Sequence, residues 1–346
     1  MEAKFEKVLR RSAVPPAMDI AGKPGVCVAI CTRNRTEKLG RSLRSVMVQT
    51  LPPEEMLVVD NAPDDHSTQT LVRQEFPTAR YVREPVPGLD YARNRALAET
   101  SMEIVAFIDD DAVAGSGWVE GIRSVFLEGD RIAVCTGKVE AFSLETEGER
   151  LFEANGGFAR GDDRICLPAD RRRRLRGLPA PLIAWAISVG SGCSLAVRRT
   201  YILEMGGFDE ALDLGPALPG GGDLDILWRA LDAGYEIVYD PSVQAYHEHR
   251  KQVDAAVTQI LEHNRSLIAM LTKSAVTTRN SSRAVVLAFL LWRLLKPGVR
   301  LLRRMAGRDP LPGEVLLRMW WSCVRGLGSY PAARRLAARR RSVEHA

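Results

Sequence analysis

Three features of the chain point to an α/β protein on a mostly parallel sheet. Short apolar runs alternate with segments whose apolar residues recur every three or four positions, which is the signature of strands returned by covering helices. Polar and acidic residues collect at the end of each apolar run, where an α/β sheet opens to its ligands. At 346 residues the chain is long enough for one large α/β domain with an extension, or for two domains.

The elements follow in order. After a polar, proline-containing leader (residues 1–24), GVCVAICT at 25–32 reads as a buried strand that empties into Arg33, Asn34 and Arg35. Thr36 stands where it can cap a helix whose Leu39, Leu43, Val46 and Met47 fall on one face, ended by Leu51, Pro52 and Pro53. EMLVVDN at 55–61 is a second strand, a helix follows at 66–75, ARYVRE at 79–84 is a third strand, and GLDYARNRALAET opens another helix. EIVAFIDDD at 103–111 is the fourth strand, so Thr32, Asp60, Asn61 and Asp109 to Asp111 all fall at carboxyl ends.

Residues 140–185 read as a long loop containing Gly156, Gly157 and the arginine run at 171–176, before AISVGSGCSLAV at 186–197 resumes strand character. The arginine run reads first as a solvated loop and second as a clamp for acceptor phosphate. Beyond lie GGFDEAL at 206–212, glycines at 220–222 leading into the helix DLDILWRALDAG, the strand-like EIVYDP and VQAYHEHR, and a long helix at 252–273.

Composition narrows the function classes. The chain is 46% hydrophobic and 26% charged, the balance of a globular protein. Six cysteines form no CxxC pair and suggest neither a disulfide framework nor a zinc site. No run of eighteen apolar residues occurs, and the N-terminus lacks the apolar core of a secretory signal, so a cytoplasmic location is expected. The net charge of +5 conceals an asymmetry: residues 290–346 hold thirteen Lys or Arg against three acids, leaving residues 1–289 at −5. An acidic body argues against nucleic acid as a partner, and a basic tail suggests a surface-binding segment.

Three adjacent carboxylates, Asp109, Asp110 and Asp111, repel one another unless a cation sits among them, and oxygen ligands suit Mg²⁺ or Mn²⁺ shared with substrate phosphate. A solvated acidic turn capping the helix near Gly117 accounts for them equally well. Asp223 reads either as a helix N-cap or as a general base on a rigid helix start with a flexible glycine approach. His247 and His249 in YHEHR do not form HExxH, which excludes a zinc protease, and His247 is a candidate third metal contact. There is no dinucleotide glycine fingerprint, no phosphate-binding GxxxxGK[ST] loop and no GxSxG elbow.

Taken together and in order, AICTRNR, VVDNAPDD, PGLDYARNRAL, FIDDD, GGFDE and GGDLDILWRAL resemble the motifs of family 2 glycosyltransferases of the GT-A fold, over residues 25 to 250. The resemblance implies a Rossmann-like sheet flanked by helices at 25–275, with a nucleotide half (25–115) and an acceptor half (116–250). It implies that Thr32, Arg33 and Arg35 line the nucleotide loop, that Asp60 and Asn61 touch base or ribose, and that Arg93 faces the diphosphate. Asp109 and Asp111 become the metal-binding pair with His247 nearby, Asp110 lies on the donor side, and Asp223 becomes the base, with Asp225 as its alternative. The implied reaction is a single in-line displacement that inverts the anomeric carbon of a UDP-, GDP- or dTDP-sugar, with transfer to a saccharide, lipid-linked or small-molecule acceptor in polysaccharide, glycolipid or glycoconjugate synthesis. The departure is Gly222, where many members have Glu, which removes an acceptor contact. Nucleotidyl transfer and a catalytically silent binding protein are the competing classes, and the first lacks its usual basic glycine-rich loop.

The tail from 276 reads as a basic amphipathic extension. AVVLAFLLW at 284–292 is too short to cross a membrane, Pro297 and Gly298 are expected to break the helix, and Arg293, Lys296, Arg300, Arg303 and Arg304 recur on one side. It suits either an anionic membrane surface, which makes the protein peripheral on the inner face, or packing on the domain with the arginines in solvent.

Overall fold

A computed structural model describes residues 23–172, 180–278 and 282–344. Most of the leader and the side chains of the arginine run at 171–176 lie outside the described residues.

The first half of the sheet follows the alternation. β1 (Val26–Thr32) lies between β2 (Glu55–Asn61) and β4 (Ile104–Ile108), and β2 carries β3 (Ala79–Glu84) on its outer side, all parallel. α1 (Thr36–Met47), α2 (Ser67–Glu75) and α3 (Leu89–Glu99) return the chain between them. Leu39, Leu43 and Val46 of α1 are buried as their spacing predicts, but Met47 is 49% exposed. Thr36 is the first helical residue and not the cap, a position held by Arg35 without a side-chain bond.

The second half departs from a mostly parallel sheet. β8 (Ser194–Arg198) runs antiparallel to both β4 and β6 (Ile132–Ala141), and β9 (Glu236–His247) runs parallel to β6. The short β5 (Ala112–Ala114) and β7 (Ile165–Leu167) pair antiparallel with β9, giving the order β3-β2-β1-β4-β8-β6-β9-β5 with β7 also on β9. The sheet is therefore mixed. β8 enters between β4 and β6 after a long excursion, with no βαβ crossover to fix its direction. Where β9 bends across β6, the register shifts between Gly137 and Lys138, and a Cβ on Gly137 would lie 1.9 Å from the Val243 carbonyl oxygen, so only glycine fits.

Two segments take a different form from the one their sequence suggests. Residues 186–189 belong to helix α6 (Leu182–Val189), because a fully apolar stretch carries no period that separates helix from strand. The expected loop at 140–185 contains α5 (Glu147–Ala154), opened by a capping box in which Thr146 and Glu149 each bond the other's backbone N–H.

The remaining helices are α4 (Trp118–Leu127), α7 (Arg199–Glu204), α8 (Gly222–Asp232), α9 (Val253–Thr277), α10 (Ser282–Met305) and α11 (Gly313–Glu344). α10 continues through Pro297 instead of ending there, and the proline is buried in the helix. The lost backbone bond is outweighed by packing. Val286, Leu290, Cys323 and Ala333 of α10 and α11 share one hydrophobic cluster with Val86, Tyr91 and Leu267, so the basic extension is docked on the sheet domain.

Charge reinforces that docking. Lys273 Nζ on α9 lies 2.7 Å from both Asp209 Oδ2 in the GGFDE turn and Asp225 Oδ2 on α8, and the Tyr330 hydroxyl of α11 donates to Asp209 at 2.8 Å. With Lys273 only 8% exposed, its removal leaves the buried Asp225 with Arg229 alone and the half-buried Asp209 with the Tyr330 hydroxyl alone. Lys273→Met is expected to lower stability by about 3–5 kcal/mol, read as a fall in the thermal or urea unfolding midpoint.

Candidate active site

Because β1, β2 and β4 are parallel, their carboxyl ends open on one edge, and a cleft of about 1750 Å³ runs along it. A pocket for one drug-sized ligand measures roughly 300–1,000 Å³, so the cleft has room for two substrates. Thr32, Arg33, Arg35, Asn61, Arg93, Asp109, Asp110, Asp111, Asp223 and His247 all line it.

At one end the acidic triplet is arranged by its neighbours. Asp110 turns toward the first loop, where Thr32 Oγ1 donates to it at 2.8 Å and Arg35 at 3.0 Å. Asp109 and Asp111 turn toward β9, whose pairing with β5 sets His247 opposite Ala112. The result is a cluster in which Asp109, Asp111 and His247 each offer a ligand atom, all within 4.8 Å of one another. Burial, then the charge of Asp111, pushes the Asp109 carboxyl up to about 6. Burial also works against the charged form of Asp111, but His247, Lys38 and Arg35 outweigh it and hold that carboxyl below its ordinary range. Two carboxylates and an imidazole suit Mn²⁺, and also Mg²⁺ with a less typical nitrogen ligand.

Behind His247 lies a relay that the sequence did not disclose. His247 Nδ1 is 3.1 Å from His249 Nδ1, and His249 Nε2 is 2.7 Å from Glu153 Oε1 on α5. His247 Nε2 lies 3.2 Å from Asp111 Oδ1, and with a cation between them, donation along this chain toward Glu153 would leave Nε2 free as a ligand. Phe158 stacks edge-on against His247 with ring centroids 5.0 Å apart. The only signal in the sequence was the HxH pair. Glu153 lies 96 residues away and reaches the site by folding alone.

The other end is built on α8. Asp223 Oδ2 accepts the Gly192 N–H at 2.8 Å, so its carboxylate is tied to the loop before β8 and does not cap its own helix. A Cβ at Gly192 would lie 2.8 Å from the Arg93 guanidinium and 3.2 Å from Asp223 Oδ2, so a larger residue there would displace both side chains. Arg93 pairs with Asp90 at 2.9 Å and lies 3.6 Å from Asp213. Burial, then their mutual repulsion, raises Asp90 well above the usual carboxylate range, and burial raises Asp213.

Gly222 is explained here. A Cβ at this position would fall 1.9 Å from Asp90 Oδ2, an atom with no hydrogen-bond partner among the described residues. Asp90 is fully buried and does not line the cleft, so the space a side chain at 222 would take is filled by a carboxyl group packed behind the cleft wall.

Two expectations change. Asp225 is fully buried, bonded to Arg229 at 2.8 Å and to Lys273, and does not line the cleft, because two positions along a helix point to different faces. It is a structural anchor and not an alternative base. Asp60 is likewise fully buried and accepts from the Tyr81 hydroxyl at 2.9 Å, behind the cleft wall. Its neighbour Asn61 does face the cleft and fixes the loop before α3 through Val86 O and Gly88 N.

The cleft's remaining wall comes from α10, which contributes Val285, Phe289 and Trp292 and then Lys296, Arg300 and Arg303. The basic side of this helix thus faces the cleft.

Comparison with known proteins fits this geometry. The chain is 27% identical over 233 residues to the pre-mycofactocin glycosyltransferase of Mycobacterium tuberculosis, covering 66% of this chain and 43% of that protein. It is 28% identical over 235 residues to glycosyltransferase AglE of Haloferax volcanii, covering 66% and 68%. The chain thus spans less than half the length of the mycobacterial relative. Among solved structures, a mannosyltransferase from Pyrobaculum calidifontis in complex with GDP-Man and Mn²⁺ shares the fold with a TM-score of 0.53 at 17% identity, over 98% of this chain and 91% of that one. GalNAc-T7 with UDP, GalNAc and Mn²⁺ gives 0.50 at 14% identity, over 76% and 54%. The family model of Glycosyl transferase family 2 matches residues 27–205, more than half of the chain, and the protein belongs to that family.

Proposed function

We propose that the protein transfers a sugar from a nucleoside-diphosphate sugar to an acceptor hydroxyl with inversion, in polysaccharide, glycolipid or glycoconjugate synthesis on the cytoplasmic side of a membrane. One observation carries the reading: the Asp109, Asp111 and His247 cluster and the Asp223 carboxylate face the same cleft. The donor, a UDP-, GDP- or dTDP-sugar, lies over the carboxyl ends of β1 and β2, with Thr32, Arg33, Arg35 and Asn61 around its nucleotide and Asp110 fixing the Arg35 side of that pocket. Arg93 faces the diphosphate from the cleft floor.

Asp109, Asp111 and His247 hold a divalent cation, Mn²⁺ or Mg²⁺. When bound, this ion supplies positive charge for the departing nucleoside diphosphate. His249 and Glu153 set the His247 ring, as the outer partners of metal-bound histidines do. Asp223 accepts the proton of the acceptor hydroxyl while its oxygen forms the new bond to the anomeric carbon, and the bond from that carbon to the diphosphate oxygen breaks. Gly192 holds the base in place, and the Arg93 guanidinium, paired with Asp90 and near Asp213, passes close to the same glycine.

The test is donor turnover by the full chain with Mn²⁺: nucleoside diphosphate is released, release stops with chelator, and pyrophosphate is not formed. Asp111→Ala is expected to erase the Mn²⁺-dependent part of the thermal shift caused by the donor. Asp223→Asn is expected to keep that shift and lower kcat by about 10²–10⁴-fold, and full turnover in this variant would remove Asp223 as the base. His249→Ala is expected to weaken Mn²⁺ about 10–100-fold, measured by Mn²⁺ titration of donor turnover, with kcat at saturating metal changed much less.

A further inference from the structure

The cleft-facing side of α10 changes character along its length. Val285, Phe289 and Trp292 line the first part, and Lys296, Arg300 and Arg303 line the rest, a span of about 27 Å at the helix rise. Arg300 is a brace and not a free cation: its guanidinium is paired with Asp309 at 2.8 and 2.9 Å and bonded to Asn155 at 2.7 Å, which fixes the helix between Lys296 and Arg303. The far end of the cleft already supplies Arg33 and Arg35 to the donor's charge, so this second cationic stretch faces the other substrate. A neutral sugar does not use the cations, and a small water-soluble phosphate does not use the apolar stretch. An amphiphile with a phosphate between its chain and its headgroup uses both.

The outer sides of the same helices point the same way. Leu291, Leu295, Leu302 and Met305 of α10 are 61%, 65%, 67% and 80% exposed. On α11, Leu317, Trp320, Trp321 and Val324 form a second exposed row at helical spacing. Most of the large hydrophobic side chains exposed among the described residues lie on these two helices, a concentration of the kind that marks an interaction surface. No helix among the described residues is long and apolar enough to cross a membrane, so the surface suits lying on one, with tryptophans at headgroup depth. The charge decides the occupant. Residues 290–346 sum to +10, which repels a second copy of the same surface and attracts anionic lipid.

We infer that the acceptor is a phosphate-linked glycolipid, presented from an anionic membrane docked on the outer faces of α10 and α11. Its phosphate or diphosphate lies against Lys296 and Arg303, and its chain passes over Val285, Phe289 and Trp292. This rests on the glycosyl transfer proposed above, but its test reads binding and does not depend on turnover.

Flotation of the full chain with phosphatidylcholine vesicles, with and without phosphatidylglycerol, reads the dock. Titration with polyisoprenyl diphosphate in detergent micelles, without Mn²⁺, reads the anchor site against polyisoprenol and inorganic diphosphate. Expected are binding to the anionic vesicles only, a tenfold or greater loss of it in the Leu291→Glu/Leu295→Glu double variant at unchanged melting temperature, and polyisoprenyl diphosphate binding at least about tenfold tighter than either part alone. Lys296→Glu is expected to weaken polyisoprenyl diphosphate about tenfold. The inference is overturned if anionic vesicles do not bind, or if polyisoprenol or inorganic diphosphate binds as well as the joined molecule. It is also overturned if the leucine pair instead dissolves an oligomer in sedimentation while leaving flotation intact. Failure of Mn²⁺-dependent donor turnover with these binding results intact counts against the proposed function alone.

Discussion

The repulsion among carboxylates gathered at the carboxyl edge of the sheet is the constraint around which the cleft is organised. Asp109, Asp110 and Asp111 are consecutive, and none can leave the strand end without breaking β4 or β5. The fold gives them different partners: Asp110 takes Thr32 and Arg35, Asp111 takes His247 with Arg35 and Lys38 beside it, and Asp109 joins Asp111 and His247 in the cluster. A second acidic group, Asp90, Asp213 and Asp223, is gathered around one buried guanidinium, Arg93. In both places buried negative charge is tolerated because a cationic or polar partner comes from a different strand or helix, which ties chemistry to tertiary structure.

The close-approach glycines belong to the same logic. Gly192 and Gly222 are small because a charged group needs the space: at Gly192 the Arg93 guanidinium and Asp223 carboxylate pass by, and at Gly222 the Asp90 carboxylate does. Gly222 reads in isolation as the loss of a functional Glu, and in three dimensions its missing side chain leaves room for the buried Asp90.

The C-terminal helices combine packing with exposure. Their inner faces join the hydrophobic cluster of the sheet domain and the Asp209, Asp225 and Lys273 ion pairs, so the extension supports the helix that carries Asp223. One side of α10 closes the cleft while an adjacent side remains apolar and exposed. The alternatives of packed tail and surface-binding tail are therefore compatible, because a long helix has more than two sides.

The residues by themselves determined the first four strands, the helices between them, and the clustering of Thr32, Asn61 and the acidic triplet at one edge, because period and strand polarity are local properties that force convergence once the strands run parallel. Six ordered motifs also carried the family. The tertiary structure alone decided the direction of β8, the helix at 182–189, the burial of Asp60 and Asp225, and the partnership of His247 with His249 and Glu153. An apolar run has no direction, and adjacent polar residues alternate between solvent and interior according to what packs against them. Contacts between residues 96 positions apart leave no mark on the spacing of either.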